Sequence, residues 1–443
     1  MQVPHEPTSF DQLQRHPTAP THASFRRVPR FRALHSGLFL AALAVPVSAL
    51  GSVLKVGPSG SYANIQAAVD ASVDGDVILV APGSGGSFVV DAKSLVIAAD
   101  GVSASKGVLG NKFTIQNLGP AQSVVLRNFR NVALTSPSPP NANSRIQQCA
   151  GAVLLEDCEL VDGDPTLTIE QCAAVTLSNC RITGWEYVPV LSTKSGPALV
   201  VAQSAVHLYD CTLAGADGKD NDSPQGGGAQ DGQPGAVVSD ASFLFAGGVV
   251  FRGGAGGATK ASQFSGFVPS STGGAGLVLG NLSQTSALRG CAFQPGAGGA
   301  TMDAWAVLPG SGGVRIDATN ASYQDLGGNR VRLSATSPLR EAQPGKLEFG
   351  SGSNYQAFVF ASATQHPLFD LSWKGTWLPA PGLLYLGQVS SFKGYATLPF
   401  TVGDLGSGVS SASLYVQGAM IDIPTATATT TAPTHLLLLD AAL

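Results

Sequence analysis

The octapeptide VTLSNCRI, residues 175–182, contains two apolar pairs that alternate in opposite phase. The odd-numbered pair Val175 and Leu177 is followed by the even-numbered pair Cys180 and Ile182. Successive side chains of a strand point to opposite faces, so one continuous strand would place the two pairs on opposite sides of a sheet. The phase change between the pairs therefore predicts a corner between two short strands.

The same pattern recurs along the chain. The other segments are VVLRNFRN (124–131), VLLEDCEL (153–160), VHLYDCTL (206–213), FLFAGGVV (243–250) and SALRGCAF (286–293). The residue between the two pairs always belongs to a type that tolerates a left-handed backbone. The predicted corner residues are Asn128, Asp157, Asn179, Asp210, Gly247 and Gly290. A hairpin turn needs at least two residues, so one-residue corners favour a solenoid of parallel strands.

A further strand precedes each cornered pair, as in TLTIEQ (166–171) and ALVVAQ (198–203). Each repeat is thus a strand, a short link, a strand, a corner, a strand and a long link. Both apolar pairs of a repeat then face one interior. The pattern predicts an all-β, three-sided parallel β-helix over residues 50–335.

The six cysteines occupy two equivalent positions of this repeat. One position contains Cys158, Cys180, Cys211 and Cys291, and the other contains Cys149 and Cys172. Stacked repeats place equivalent residues about 4.8 Å apart. Two arrangements remain open: a stack of buried free thiols, which the pattern favours, and disulfides between adjacent repeats. Zinc is disfavoured, because the sequence has no close CxxC pair with an accompanying histidine cluster.

The segment SYANIQAAVDASVDGDVILVAPG (61–83) predicts a short amphipathic helix followed by a turn and a strand. Such a helix would close the exposed end of a solenoid. The segment resembles the N-terminal cap of pectin-lyase-like right-handed β-helix proteins, especially pectinesterase-like members. The matching positions are Tyr62, Ile65, Gln66, Ala68, Asp76, Pro82 and Gly83. The resemblance covers roughly residues 53–335 and implies a right-handed three-sided parallel β-helix with a short N-terminal capping helix.

The catalytic motifs of that superfamily have no counterpart in this chain. The sequence contains no GxxDFIFG or LGRPW as in pectinesterases, no NTD, GHG or RIK as in polygalacturonases, and no WxDH as in pectate lyases. The resemblance therefore implies a fold and a substrate-facing edge flanked by loops, and it transfers no catalytic residue.

Two links contain candidate binding residues. Trp185 and Tyr187 are large aromatic residues in a predicted loop, where their rings could stack on sugar rings or pack the loop onto the helix. Asp162 and Asp164 lie in the short link VDGDPT and could join a site there. Paired carboxylates could perform acid/base hydrolysis or hold calcium for a lyase, and no spacing selects between these alternatives.

The glycine-rich link 214–235 adds four aspartates whose oxygens could bind calcium: Asp217, Asp220, Asp222 and Asp231. The EF-hand pattern is not met, and a solvated flexible loop is the favoured interpretation. The later glycine-rich links, 252–275 and 294–312, suggest low-complexity decoration. The sequence requires no cofactor, and calcium is the one candidate. His207 alternates outward between apolar neighbours, which predicts a surface position.

Residues 1–49 are predicted to be a leader with an export signal. Four arginines between residues 26 and 32 precede the apolar run GLFLAALAVPVSAL (37–50), and an uncut membrane anchor is the alternative. Removal of the leader changes the formal net charge from −4 to −7 (20 basic minus 27 acidic residues), which argues against nucleic acid as a partner. We expect a secreted, periplasmic or cell-surface protein with no membrane span after signal removal.

Residues 336–443 lose the repeat and consist of short strands with period-two alternation between Gly/Pro turns. This predicts a small antiparallel β-sandwich-like C-terminal module. Two hypotheses for function remain open. The first is an exported β-helix protein that binds polysaccharide or cell-envelope glycan, or serves a structural role. The second is a carbohydrate-active enzyme, a polysaccharide lyase or glycoside hydrolase of uronate-containing polymers, so whether the chain is catalytic stays undecided.

Overall fold

A computed structural model describes most of the chain after residue 50. The described residues are 51–100, 108–110, 112–131, 143–161, 163–184, 195–220, 229–259, 270–281, 286–300, 309–319, 321–352, 354–379, 383–391 and 393–443. They form an all-β structure with one short helix, long parallel sheets and a C-terminal antiparallel region. No helix in this described part has the length and apolar character needed to cross a membrane.

Three parallel sheets receive the strands in rotation along the chain, and together they are called the parallel stack below. The first sheet contains Val53–Val56, Val77–Val80, Leu95–Ala99, Ser123–Arg127, Ala152–Glu156, Ala174–Ser178, Ala205–Tyr209, Phe243–Gly247, Ser286–Arg289 and Tyr323–Asp325. The second contains Val108–Gly110, Phe129–Asn131, Glu159–Leu160, Arg181–Thr183, Thr212–Ala214, Val250–Arg252 and Ala292–Gln294. The third contains Phe88–Asp91, Phe113–Gln116, Ser144–Gln147, Leu167–Glu170, Leu199–Ala202, Ala236–Ser239, Leu277–Leu279 and Ile316–Asp317.

Equivalent residues of successive repeats are in register. Leu155 pairs with Leu177, which pairs in turn with Leu208. The inward side chains of all three sheets join one apolar core, in which these leucines are fully buried. Complete burial of each such side chain contributes about 1.5–3 kcal/mol relative to an exposed position. The register of this ladder therefore holds the repeats in line.

The predicted corners have left-handed backbones, with φ between 53° and 57° at Asn128, Asp157, Asn179, Asp210 and Gly290. One prediction is wrong by a single residue. Gly247 ends its strand, and the left-handed residue is Gly248, with φ of 67°. In FLFAGGVV two phases of alternation fit the apolar residues equally well, and the observed register pairs Val206 with Leu244.

A second left-handed corner joins a strand of the third sheet to the following strand of the first sheet. The alternation pattern in the sequence does not predict it. Its residues are also left-handed, with φ of 55° at Gln171 and 50° at Gln203. The Gln171 side-chain amide donates to the Gln203 amide oxygen at 3.1 Å, and the Gln171 backbone N–H donates to Ala202. Bonds between repeats thus hold a backbone conformation that glutamine seldom adopts alone.

The helix Ile65–Ala71 lies at the N-terminal end of the parallel stack. Asn64 caps it, because the side-chain oxygen accepts a hydrogen bond from Ala67 N at 2.9 Å. Ile65, Ala68 and Val69 are buried and belong to the core of the stack. The helix therefore covers the end of the core at the first repeats.

The cysteines lie inside the stack as free thiols, and five of the six are buried. Each thiol of the longer series points toward a carbonyl of the preceding repeat. Sγ of Cys180 lies 3.5 Å from Leu155 O, and Sγ of Cys211 lies 3.5 Å from Leu177 O. This is the free-thiol arrangement that the repeat pattern favours.

The antiparallel strands begin at Val331, five residues before the sequence-based boundary at 336. They form three sheets. One contains Val331–Ala335, Pro344–Ser351 and Tyr395–Thr401. Another contains Tyr355–Ser362, Leu384–Ser391, Ser411–Asp422, Thr427–Thr430 and Thr434–Leu439, with Leu339–Arg340 at its edge, paired in parallel with Thr434–Leu439. A two-stranded hairpin contains Gln365–Asp370 and Gly375–Pro379. The first two sheets share a core of their own, separate from that of the parallel stack.

The antiparallel module covers the outward face of the first parallel sheet. Apolar contacts join Val77, Leu79, Val96, Ala98, Val125 and Leu154 to Tyr415, Leu437 and Leu439. Further along the same face, His207 is only 4% exposed, and its Nδ1 lies 2.8 Å from Thr376 Oγ1. The prediction that His207 lies at the surface is wrong, because the module buries the face to which its side chain points.

Buried polar contacts hold the module in place. The Tyr209 hydroxyl donates to Thr376 O at 3.1 Å and accepts from Thr376 N at 3.0 Å. Glu156 accepts a hydrogen bond from His435 N at 2.9 Å, and its Oε2 lies 3.6 Å from Arg127 Nη1. Burial raises the pKa of Glu156 to about 7, against the attraction of Arg127.

Candidate functional site

The glycine-rich links are packed segments of backbone and contain three of the predicted ligands, Asp217, Asp220 and Asp231. Gly215 and Gly218 donate to the carbonyls of Arg252 and Ala255, at 2.8 and 2.7 Å. The bonds recur at every third residue. A period of three is that of the polyproline II helix, which has no internal hydrogen bonds, so these segments bond to one another.

Six segments pack in this way, and together they form the glycine-rich bundle. They are 214–220, 229–235, 252–259, 270–276, 294–300 and 309–314. Neighbouring backbones approach so closely that a side chain has no room at many glycines. A Cβ on Gly254 would overlap the carbonyl oxygen of Ala216, for example. The prediction of flexible, decorative links is therefore wrong for these segments, because their glycines permit direct backbone-to-backbone bonding.

The aspartates of the bundle bind backbone amides. Asp217 Oδ1 accepts from Ala255 N, and Asp220 Oδ1 accepts from Ala258 N, each at 2.6 Å. Asp231 Oδ1 accepts from Thr272 N, also at 2.6 Å. Each carboxylate therefore ties one bundle segment to a segment of the following repeat. In the described part of the chain, no three His, Cys, Asp or Glu side chains lie close enough together to hold a metal ion.

The remaining predicted ligands are only partly described. Asp164 lies beside Gly196, where an added Cβ would overlap the Asp164 carboxylate. The Gly196 carbonyl accepts from Ala216 N, next to Asp217, so these two aspartates lie on linked segments at the same edge of the stack. Asp162, Trp185, Tyr187 and Asp222 lie outside the described residues.

A different group of aromatic residues lies on the antiparallel module, around the hairpin 365–379. Cross-strand pairs define the two faces of this hairpin. Phe369 is paired with Thr376 on one face, and Leu368 is paired with Trp377 on the other. Thr376 is fully buried against the parallel stack, whereas Leu368 is 62% exposed. Because alternate side chains point to opposite faces, Trp377 lies on the face turned away from the stack.

Four rings form a continuous group there, which is called the aromatic surface below: Phe360, Trp373, Trp377 and Tyr385. The Trp373 and Trp377 ring centroids are 5.2 Å apart at 77°, and those of Phe360 and Trp377 are 5.9 Å apart at 72°. Phe360 lies 5.7 Å from Tyr385. The two tryptophan contacts are edge-to-face and the Phe360–Tyr385 contact is tilted, and together they orient the rings relative to one another.

The aromatic surface is accessible. Tyr385 is 51% exposed, and Phe360, Trp373 and Trp377 are half-buried. Leu371 and Leu383, on neighbouring turns and strands, are each at least half exposed. Contiguous exposed apolar groups of this kind mark interaction sites.

The sequence contains a local signal for this surface. Phe360 and Tyr385 occupy outward positions of strands with period-two alternation, and two of the four tryptophans lie within five residues, in WKGTW. Only the pairing of Phe360 with Tyr385 and the folding of the hairpin across the sheet bring the four rings together.

Comparison of the chain with protein-family models, with curated proteins and with solved structures yields no match.

Proposed function

We propose that this chain is an exported, non-catalytic protein that binds polysaccharide through its aromatic surface. The observation that carries the proposal is the group of four contacting rings in which Tyr385 is exposed and Trp373, Trp377 and Phe360 are half-buried. The C–H faces of sugar rings are apolar and stack on aromatic rings, while a tyrosine hydroxyl can bond to sugar hydroxyls.

The rings are held rigid before any ligand binds, which favours binding. The hairpin is fixed through Thr376, which contacts His207 and Tyr209 of the parallel stack. The Trp373 carbonyl also accepts from Thr430 N at 3.1 Å. A site on packed strands loses little conformational entropy when it binds a chain molecule.

The proposal includes the finer architecture of the scaffold. We infer that the three parallel sheets close around their shared core as a right-handed three-sided β-helix, similar in fold to pectin-lyase-like proteins. The rotation of strands among three sheets and the single core support this inference. The extracellular location rests on the leader sequence, which lies outside the described residues.

Binding is tested with the purified chain on insoluble polysaccharides and by affinity electrophoresis in gels containing soluble ones. The single variants Trp373→Ala, Trp377→Ala and Tyr385→Ala should each weaken binding by about three- to tenfold, the range expected for loss of one aromatic contact. Tyr395→Ala is the matched control, because Tyr395 is 58% exposed on a different sheet.

Parallel assays for reducing ends and unsaturated products test the alternative of a carbohydrate-active enzyme. Retention of the polysaccharide without product release supports the proposal. Equal binding by the parent and all three aromatic variants, or no binding by the parent, would overturn it. Release of either product would show that the protein is catalytic.

A further inference from the structure

A small cavity lies where the last repeats of the parallel stack meet the antiparallel module. It offers about 20 Å³ to the centres of water-sized atoms, which is the space of one compact group of a few atoms. Its lining includes Arg289, Tyr355, Lys374, Asp422 and Thr429. These residues are distinct from the four rings of the aromatic surface.

Arg289 is the unusual member, because its side chain is buried without an acidic partner. It is 1% exposed, and within the described residues it makes no ion pair. The neighbouring acid Asp210 is bound instead by Arg330. An isolated charge in the protein interior is costly unless an opposite charge compensates it.

Among the described residues, Nη1 is the one guanidinium nitrogen that donates hydrogen bonds. Nη1 donates to Lys374 O at 2.9 Å, to Thr430 O at 3.0 Å and to Thr429 Oγ1. Nε is buried without a partner among the described residues. The guanidinium also lies over the Phe245 ring, 5.6 Å from its centroid, and Asp210 is close enough to attract it, so its charge is only partly offset.

The cavity contains other donors. The Tyr355 hydroxyl is buried without a hydrogen-bond partner in the described part of the chain. The Thr429 hydroxyl accepts from Arg289 and can still donate its own hydrogen. Lys374 adds a second positive charge, whereas Asp422 is the single acid in the lining. The lining therefore has a net positive charge and an excess of hydrogen-bond donors.

We propose that this cavity binds one oxyanionic group, a carboxylate, phosphate or sulfate, between Arg289, Lys374 and Tyr355. Such a group presents several acceptor oxygens and one negative charge or more, which matches the unused donors and the positive charges of Arg289 and Lys374. The cavity admits the anionic group itself, so a larger ligand would extend outward past Asn329 and Thr427 at the exposed side of the lining.

The test is titration of the full chain with sodium acetate, phosphate or sulfate at constant ionic strength maintained with sodium chloride. Heat of binding and the thermal unfolding midpoint are followed together. We expect one of the three anions to bind saturably and to raise the midpoint. Acetate and the tetrahedral anions are separate arms, so the preferred geometry of the ligand is read directly.

Variants localise the binding. Lys374→Met should weaken it at least about tenfold, and Tyr355→Phe by about fivefold, as expected for loss of a charged and a neutral hydrogen bond. Lys346→Met is the matched control: it removes the same charge at a lysine outside the cavity lining. Arg289→Met should abolish binding, and the first two variants remain informative if it does not fold.

Two results would overturn the proposal. One is the absence of saturable binding by all three anions in the folded parent chain. The other is an equal loss of affinity in Lys374→Met and Lys346→Met, which would reduce the effect to general charge screening. Neither result depends on polysaccharide binding, so this site and the aromatic surface fail or succeed separately.

Discussion

The Asn179 side chain donates a hydrogen bond from Nδ2 to Asp157 Oδ1 of the preceding repeat, at 2.7 Å. Both residues are corners with left-handed backbones, at φ of 53° and 55°. The side chain that makes this conformation tolerable also bonds one repeat to the next. In this protein the residue that forms the corner therefore also holds one repeat against the next.

Replacement of Asn179 should separate these two effects. Asn179→Ala loses the amide bond and retains the left-handed backbone, so we expect the free energy of unfolding to fall by about 1–3 kcal/mol. Asn179→Gly loses the same bond, but glycine adopts the left-handed backbone without strain, so its free energy of unfolding should fall by less. Urea unfolding of both variants measures the difference. Equal stability of Asn179→Ala and the parent would mean that the Asn179 side chain does not stabilise the corner.

The glycine-rich bundle should be sensitive to single methyl groups. Gly254→Ala places a Cβ against the Ala216 carbonyl, and the resulting overpacking should lower the free energy of unfolding by about 1–3 kcal/mol. Gly312→Ala is the control, because its Cβ would lie 3.6 Å from the nearest atom, Gly296 O. Thermal unfolding compares the two. Similar melting of both variants would contradict the close-packed arrangement.

His207 should destabilise the folded protein in mild acid. Burial lowers its pKa to about 4, from an ordinary value of 6.5. As the pH falls from 6.5 to 4, the unfolded chain takes up a proton that the folded state excludes, so the free energy of unfolding decreases. His207→Asn, which can still bond Thr376, should flatten this slope. An unchanged slope in urea unfolding across that range would refute the assignment.

Glu156 should have the opposite pH dependence. Burial raises its pKa from 4.5 to about 7. Between these values the folded state retains a proton that the unfolded chain has lost, so the contribution of Glu156 to stability decreases as the pH rises. Glu156→Gln removes this term and should gain stability relative to the parent as the pH rises from 4.5 to 7. A constant difference between the two proteins across that range would count against it.

Cys180 and Cys211 should be unreactive in the folded protein. Burial raises the pKa of Cys180 and of Cys211 well above the ordinary thiol value. A thiol reagent should therefore modify Cys291, the one cysteine that is not fully buried, before the others. In denaturant without reductant, six thiols should react per chain, in agreement with six free cysteines. A count of four or two would indicate disulfides between repeats.

The corners between the first and second sheets could be predicted from sequence, because they depend on the local alternation of apolar residues. The rule is a change of phase across one residue that tolerates a left-handed backbone. Val175 and Leu177 change phase with Cys180 and Ile182 across one left-handed residue, and the structure places all four side chains in one core. The rule failed by one residue at Gly248, where two adjacent glycines and a run of aromatic and aliphatic residues fit either phase. It missed Gln171 and Gln203, because glutamine gives no local signal for a left-handed backbone.

The partners of outward-facing residues were not readable in this way. The alternation correctly turned His207 away from the core of the parallel stack, but the module that buries it lies about 170 residues further along the chain. The aromatic surface could not be predicted for the same reason. Phe360 and Tyr385 face outward by alternation, and the pairing of distant strands brings them beside Trp377.

The amino-acid sequence by itself determined the repeat, the inward faces and most corners between the first and second sheets, because backbone preference and side-chain alternation act over a few residues. Tertiary structure alone decided which outward faces are covered, how the glycine-rich segments bond, and where charges such as Arg289 become buried. Those features depend on contacts between residues far apart in the chain, whose free energy exists only when the sheets and the module have packed together.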